Sequence, residues 1–230
     1  MAYTLKITLD GSSKPIIWRR VKVNSNLTFK TLHYVIQSLF LWENSHLYQF
    51  YKSSRNEQRL FIKTVEDLEM GKEMGYVPDD EDDDFDPNDP LSVLMHSRKD
   101  IYKEAETTLL SDVLKKEKDY IIYEYDFGDS WEHKVVLEAI DEETLLYPVC
   151  LKGKGCPPPE NCGGIWGYYE MLEVLETKKP KADYNNYKQW LTEIGYELPW
   201  DRDAFDIERI NEDLISDAQN NYEFYNWQLK

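Results

Sequence analysis

Membrane spans are the first thing missing: no run in the 230-residue chain approaches the ~20 apolar residues that crossing a bilayer requires. The start, MAYTLKITLD, reads directly as an alternating strand rather than as a cleavable signal, so the expectation is a cytoplasmic protein. Cysteine is scarce. Its count of three is odd, which speaks against a secreted disulfide framework and for free thiols or metal ligands. Positive charge is scarce as well, with 27 Lys and Arg against 44 Asp and Glu and a net charge of −17. A nucleic-acid binder needs a basic face to displace counterions, so no direct nucleic-acid binding is expected. There is no internal repeat. What is present, 41% hydrophobic and 14% aromatic residues, suffices for one sizeable core, and residues 1–230 read as a single domain.

The densest stretch is Tyr120–Gly164. Two strand-like runs, YIIYEYD and WEHKVVLEAI, flank Phe127-Gly128-Asp129-Ser130, and a Gly-Asp pair between alternating runs predicts a tight hairpin over 120–140 whose glycine supplies the unusual backbone angles. With Gly128-Asp129 as the turn, Asp126 opposes Trp131, Glu124 opposes His133 and Ile122 opposes Val135. That register puts Glu124, Asp126 and His133 on one face and Ile121, Tyr123, Tyr125 and Val136 on the buried one. The letters DFG have no glycine-rich loop or HRD-type catalytic loop beside them, so they do not indicate a protein kinase.

Before the hairpin, Tyr3–Leu9 and Ile17–Val23 alternate as strands around Asp10-Gly11-Ser12-Ser13. Thr28 is placed as an N-cap, with Leu27 and Leu32 as a hydrophobic staple, for an amphipathic helix running to Phe40. Strands over His46–Tyr51 and Arg59–Lys63 complete a ββαββ run, the element order of a ubiquitin-like β-grasp sheet. Residues 79–89, DDEDDDFDPND, repel one another into an acidic flexible loop; their EF-hand-like spacing fails at Asp89 and Met95. A helix is expected over Leu91–Tyr102 and a cap at Ser111. From residue 165 the chain reads as helical, over Gly167–Glu176, Ala182–Ile194 and Asp206–Ala218. The fold class is therefore α+β, a mixed and mostly antiparallel sheet with C-terminal helices.

The runs YEYDFGDSWEHKVVLE, YPVCLKGKGCPPPENCGG and WGYYEMLEVL, with LKITLDGSSKPIIWRRVKV, LHYVIQSLF and SHLYQF upstream and FDIERIN downstream, closely resemble the plasmid pRiA4b ORF-3-like family. The resemblance covers most of the chain. It implies an association with mobile elements, and some members are labelled TnpR-type resolvases.

Three candidate sites follow. Cys150, Cys156 and Cys162, spaced C-x5-C-x5-C, are either zinc ligands completed by His133 or small apolar residues buried in a stiff Pro/Gly loop. Glu124, Asp126, Asp129 and His133, joined by His46, are either a divalent-cation or acid/base site or ordinary surface partners across a hairpin. Arg19 and Arg20 are neighbours on a strand, so only one of them, Arg20 in this reading, looks into the site, where it either clamps a carboxylate or phosphate or forms a structural pair with one of the 44 acids, the preferred use. Trp131, Trp166, Trp200 and Trp227 are core or docking residues, and His33 is a satisfied histidine in the first helix. The loop Cys150–Gly164 is expected to fold over the Glu124/Asp126/His133 face and make the main concave site.

Three functions from different classes fit these features. The first is a non-enzymatic module that offers a sheet edge or aromatic groove to a protein partner. The second is a metal-dependent enzyme, using zinc or another divalent cation, on the Asp126/His133 face. The third is the resolvase accessory role implied by the resemblance; from residue 180 onward five basic residues stand against eleven acids, a balance that repels DNA. The interaction module is the preferred reading.

Overall fold

In chain order the strands are β1 (Ala2–Leu9), β2 (Trp18–Asn24), β3 (Tyr48–Lys52), β4 (Leu60–Lys63), β5 (Ile101–Glu104), β6 (Tyr120–Tyr125), β7 (Trp131–Asp141) and β8 (Val149–Lys154). The helices are α1 (Phe29–Phe40), α2 (Val65–Glu73), the single turn α3 (Leu110–Val113), α4 (Gly164–Glu176), α5 (Tyr184–Glu193) and α6 (Ile207–Asn220). These elements come from a computed structural model that describes residues 1–52, 59–77, 88, 100–177, 183–196 and 198–220. The strands form one sheet in the order β5-β4-β3-β6-β7-β1-β2-β8, antiparallel at every join except the parallel β4–β5 pair. The fold is thus mixed α+β with a mostly antiparallel sheet. The β-grasp detail is not confirmed, because the central β6–β7 hairpin separates β3–β4 from β1–β2. Among the described residues no helix is long and apolar enough to cross a membrane.

One face of the sheet carries the core. Tyr3, Leu5, Ile7 and Leu9 of β1, Val21 and Val23 of β2, and Ile121, Tyr123 and Tyr125 of β6 are buried against α1. Thr28 does cap α1, its hydroxyl accepting from the Thr31 amide at 3.1 Å, and Leu27 and Leu32 are both buried as a staple requires. Leu41, in a left-handed conformation with φ 56°, ends the helix. At the sheet's β8 edge the Asn211 carboxamide accepts from the Cys150 amide at 2.8 Å and donates to the Cys150 carbonyl at 3.1 Å, standing in for a neighbouring strand.

Three sequence expectations need correction here. The hairpin pairs Tyr125 with Trp131, Glu124 with Glu132 and Tyr123 with His133, one residue away from the expected register. The loop is five residues, not two: the Asp126 carboxylate accepts from the amides of Gly128 (3.0 Å) and Asp129 (3.4 Å), and Asp126 and Ser130, at φ 55° and 52°, take the left-handed conformations expected of glycine. That shift sends His133 into the core face beside Trp131, Val135 and Leu137, and leaves Val136 on the outer face. Ile101 and Tyr102, expected to end a helix, belong to β5, while 91–99 and, apart from Asn88, 79–89 lie outside the described residues. Ser111 lies inside α3 rather than capping it; the Asp112 carboxylate accepts from the Leu109 amide instead.

Candidate functional site

Beyond β8 the Pro-rich loop crosses to the α1 side of the sheet, not to the Glu124 side, and its anchors explain why. The Trp42 indole donates to the Pro158 carbonyl at 2.9 Å. Glu160 accepts from the Tyr125 hydroxyl at 2.5 Å and from the Glu43 amide at 3.0 Å. The Gly163 amide donates to Asp129 at 3.1 Å, so the hairpin tip and the loop's end are tied together. The anchors lie just beyond the C-terminus of α1, on the core side of β6 and at the hairpin tip.

Arg19 is the keystone of this arrangement. It is 1% exposed, and four of its five N–H donors go to backbone: Nε donates to the Leu39 carbonyl at 3.0 Å, and the two terminal nitrogens donate to the carbonyls of Trp18, Lys154 and Gly155, each at 2.9 Å. Phe40 and Phe205 stack near the guanidinium at 5.2 and 4.9 Å. The Leu39 carbonyl belongs to the last turn of α1, where the helix dipole is negative, and this favours the buried cation. Burial lowers the guanidinium to about 10, so it stays charged at neutral pH.

Arg19 forms part of the floor of a cleft of about 550 Å³ between the Pro-rich loop and the segment after α5. One wall is Glu43, Cys156, Pro157, Glu160 and Asn161; the other is Ile194, Tyr196, Pro199, Trp200 and Phe205, with Asp201 and Asp206 at the rim. Gly195, at φ 86°, turns the chain out of α5 and lets the Tyr196 amide return to the Leu191 carbonyl at 2.8 Å. Tyr196 and Trp200 then lie 5.0 Å apart, ring centroid to centroid. Phe205 reaches Arg19 because position 153 is glycine: a Cβ there would lie 2.5 Å from the Phe205 ring and 2.9 Å from Arg19 Cδ. The Cys156 amide donates to the Arg202 carbonyl at 2.9 Å and joins the two walls.

Burial raises the Cys156 thiol to about 12, so it is protonated at neutral pH and is not an activated nucleophile. Asp206 is occupied as an N-cap, accepting from the Glu208 and Arg209 amides. The contact surface that remains is aromatic and proline-rich, with the carboxylates Glu43 and Asp201 and the cation Arg209, itself near Asp213 at 3.8 Å, among the lining residues.

The sequence-predicted site residues are dispersed around this feature. His46 and Asp126 do meet, with Nε2 3.6 Å from the carboxylate, and Asn161 joins them at 3.0 Å from the same nitrogen. Asp129 holds Gly163. Glu124 lies on the outer face, accepting from Gln49 at 2.6 Å and Ser130 at 3.1 Å, and is separated by the sheet from His133. Arg20 also faces outward, in a two-point bond to Glu138 at 2.5 and 3.1 Å; Arg19 is the one that turns in. Trp131 is core at 1% exposure, Trp166 is 85% exposed, Trp200 lines the cleft and Trp227 lies outside the described residues.

His133 has no exposure. Its Nδ1 donates to the Trp131 carbonyl at 3.2 Å, Nε2 has no partner among the described residues, and burial lowers its pKa to about 3. It sits edge-on to Phe40 and Trp42 at 4.5 and 5.3 Å. Cys150 is buried on β8, and Cys156 and Cys162 border different hollows. Among the described residues no three His, Cys, Asp or Glu side chains converge as a metal site would require, so the zinc set of Cys150, Cys156, Cys162 and His133 is not assembled. The Asp126/His133 face proposed for a metal-dependent enzyme does not exist either, because the register puts the two side chains in different environments. Arg19, Glu160 and the 194–206 wall were missed; the Gly195/Pro199 punctuation and Trp200 were their visible signals.

Comparison with known proteins agrees with the architecture. The chain is similar to Uncharacterized protein y4hQ of Sinorhizobium fredii, with 35% identity over 175 residues that span 74% of this chain and 71% of that protein. It is also similar to a solved structure, the protein of unknown function MM3350 from Methanosarcina mazei Go1, at 31% identity and a TM-score of 0.65, covering 90% of this chain and 95% of that one. The family described as plasmid pRiA4b ORF-3-like protein matches residues 1–209. The chain belongs to the plasmid pRiA4b ORF-3-like protein family.

Proposed function

We propose that this chain is a non-enzymatic protein-interaction module and that its partner enters the cleft beside Arg19. The observation that carries the reading is the lining itself: Tyr196, Trp200, Phe205, Pro157 and Pro199 offer aromatic and apolar contact area, while the Cys156 thiol is protonated. Rigid aromatics in a concave site give binding area at low entropic cost. Ile194 is 43% exposed and lines the cleft together with the exposed carboxylates Glu43 and Asp201. A partner segment that places an apolar side chain among the rings and a cation at the rim satisfies both features. The three free thiols support a reducing, cytoplasmic setting.

The test is affinity purification of the tagged chain from its own host, with exposed positions varied so that folding is preserved. The unaltered chain and a Lys134→Glu control on the open sheet face should retain a protein in near-stoichiometric amount, and the Glu43→Lys/Ile194→Glu variant should lose it. A partner that stays bound to the cleft variant, or no stoichiometric partner at all, contradicts the proposal.

A further inference from the structure

The wall formed by residues 199–206 has a second side. There, the β1–β2 turn, β8 and Arg202 enclose a groove of about 490 Å³ lined by Lys6, Lys14, Lys154 and Arg202 and, among the described residues, by one carboxylate, Asp203. In a chain of net charge −17 this is a local reversal of sign. The groove also has an apolar element: Ile16 is 50% exposed, while the Trp18 ring is covered by Lys6 and Arg20 at 5.2 and 5.3 Å from its centroid.

The cations differ in how far they are already engaged. Arg202 is bound to Glu176 at 3.2 Å, and the neighbouring Arg20 and Lys22 are tied to Glu138 and to Asp141 and Glu143. Lys14 and Lys154 are exposed and form no ion pair among the described residues, although acids outnumber bases 44 to 27 in the chain. Lys152 continues the same line along β8, opposite Arg20.

We infer that this groove binds a short acidic peptide segment of a protein partner, with carboxylates at Lys14 and Lys154 and an apolar side chain against Ile16. Charge complementarity selects the class of ligand, and the surrounding charge limits its size. A long polyanion such as duplex DNA brings most of its phosphates over acidic surface, whereas a short acidic segment places its charge within the basic patch alone. The inference goes beyond the cleft proposal and does not depend on it, since the two hollows share only the 199–206 wall.

Fluorescence anisotropy tests it with the full chain and a fluorescein-labelled synthetic peptide, Glu-Glu-Phe-Glu-Glu-Phe. Binding should weaken as salt rises, should fall about tenfold or more when Gln replaces Glu in the peptide, and should fall by a similar factor in Lys14→Glu/Lys154→Glu. Both lysines are exposed, so this variant keeps its fold, which circular dichroism verifies. The cleft variant Glu43→Lys/Ile194→Glu should bind the peptide as the unaltered chain does, so failure of the groove and failure of the cleft are read separately. Absence of peptide binding overturns the inference, as does equal binding by the lysine variant. Tighter binding of a twelve-residue oligo-dT that the lysine variant abolishes overturns it in favour of nucleic acid, and sedimentation showing a dimer abolished by the same variant overturns it in favour of a second copy of the chain.

Discussion

Two histidines locked neutral in the core should make the protein sensitive to mild acid, and the size of the effect follows from their burial. His33 is held by the Tyr123 hydroxyl and the Asn44 carboxamide, each at 2.7 Å, and His133 by the Trp131 carbonyl; burial lowers each to about 3 from an ordinary 6.5. A base whose folded pKa is depressed binds fewer protons folded than unfolded, so stability is fully present above pH 6.5 and is lost progressively as pH falls towards 3. Between pH 8 and pH 5 each histidine costs about 2 kcal/mol, or about 4 kcal/mol for the pair. At about 2–4 °C per kcal/mol for a chain of this size, the melting temperature should fall by roughly 8–16 °C over that interval. Carboxylates add little there: Glu138, held down by its hydrogen bond to Arg20, loses its contribution only below its ordinary 4.5. Thermal melts of the unaltered chain and His133→Leu across pH 5–8 check the argument. Leu fills a similar volume and removes the unpartnered Nε2, so the variant should match the parent within about 1 kcal/mol at pH 8 and show roughly half its acid loss. A melting temperature independent of pH over this range, or an unchanged pH dependence in His133→Leu, refutes the reasoning.

Arg19→Lys should destabilise by about 3 kcal/mol in denaturant titration, because an ammonium cannot reach four carbonyls on three segments or stack between Phe40 and Phe205; a loss below about 1 kcal/mol contradicts the keystone role. Gly153→Ala should cost about 1–3 kcal/mol and displace Phe205 from Arg19, which near-ultraviolet circular dichroism reports. Treatment with EDTA should leave the melting temperature unchanged and elemental analysis should find no stoichiometric zinc, since the three cysteines and His133 do not converge; stoichiometric zinc lost on Cys156→Ser would contradict that geometry.

The parts of the fold that were legible in the sequence are those set by local chemistry. Alternation in Tyr3–Leu9 marked β1, Thr28 and its staple marked α1, and Gly195 marked the end of α5. Register was also encoded but was obscured by the Gly-Asp pair. An Asp126 side chain that closes its own turn makes the loop odd in length, and the resulting pairing sets Tyr125 and Ile121 beside Trp131 and Val135, apolar against apolar. The two-residue turn would have set Tyr123 opposite Lys134, a mismatch that the alternation itself exposes. Strand order was not legible, because the insertion of β6–β7 between β3 and β1 depends on contacts remote in sequence. The same holds for the cleft. Arg19 and Arg20 are indistinguishable as a dipeptide until parity along β2 is fixed, and the Phe205 contact spans more than 180 positions.

The most direct test of the central claim is photocrosslinking in living cells from a benzoylphenylalanine placed at Ile194, on the exposed rim of the cleft. The account predicts a covalent adduct with one protein species, abolished when Glu43→Lys is added and not formed from the same probe at Lys134 on the open face. No adduct from Ile194, or the same adducts from both positions, would contradict it.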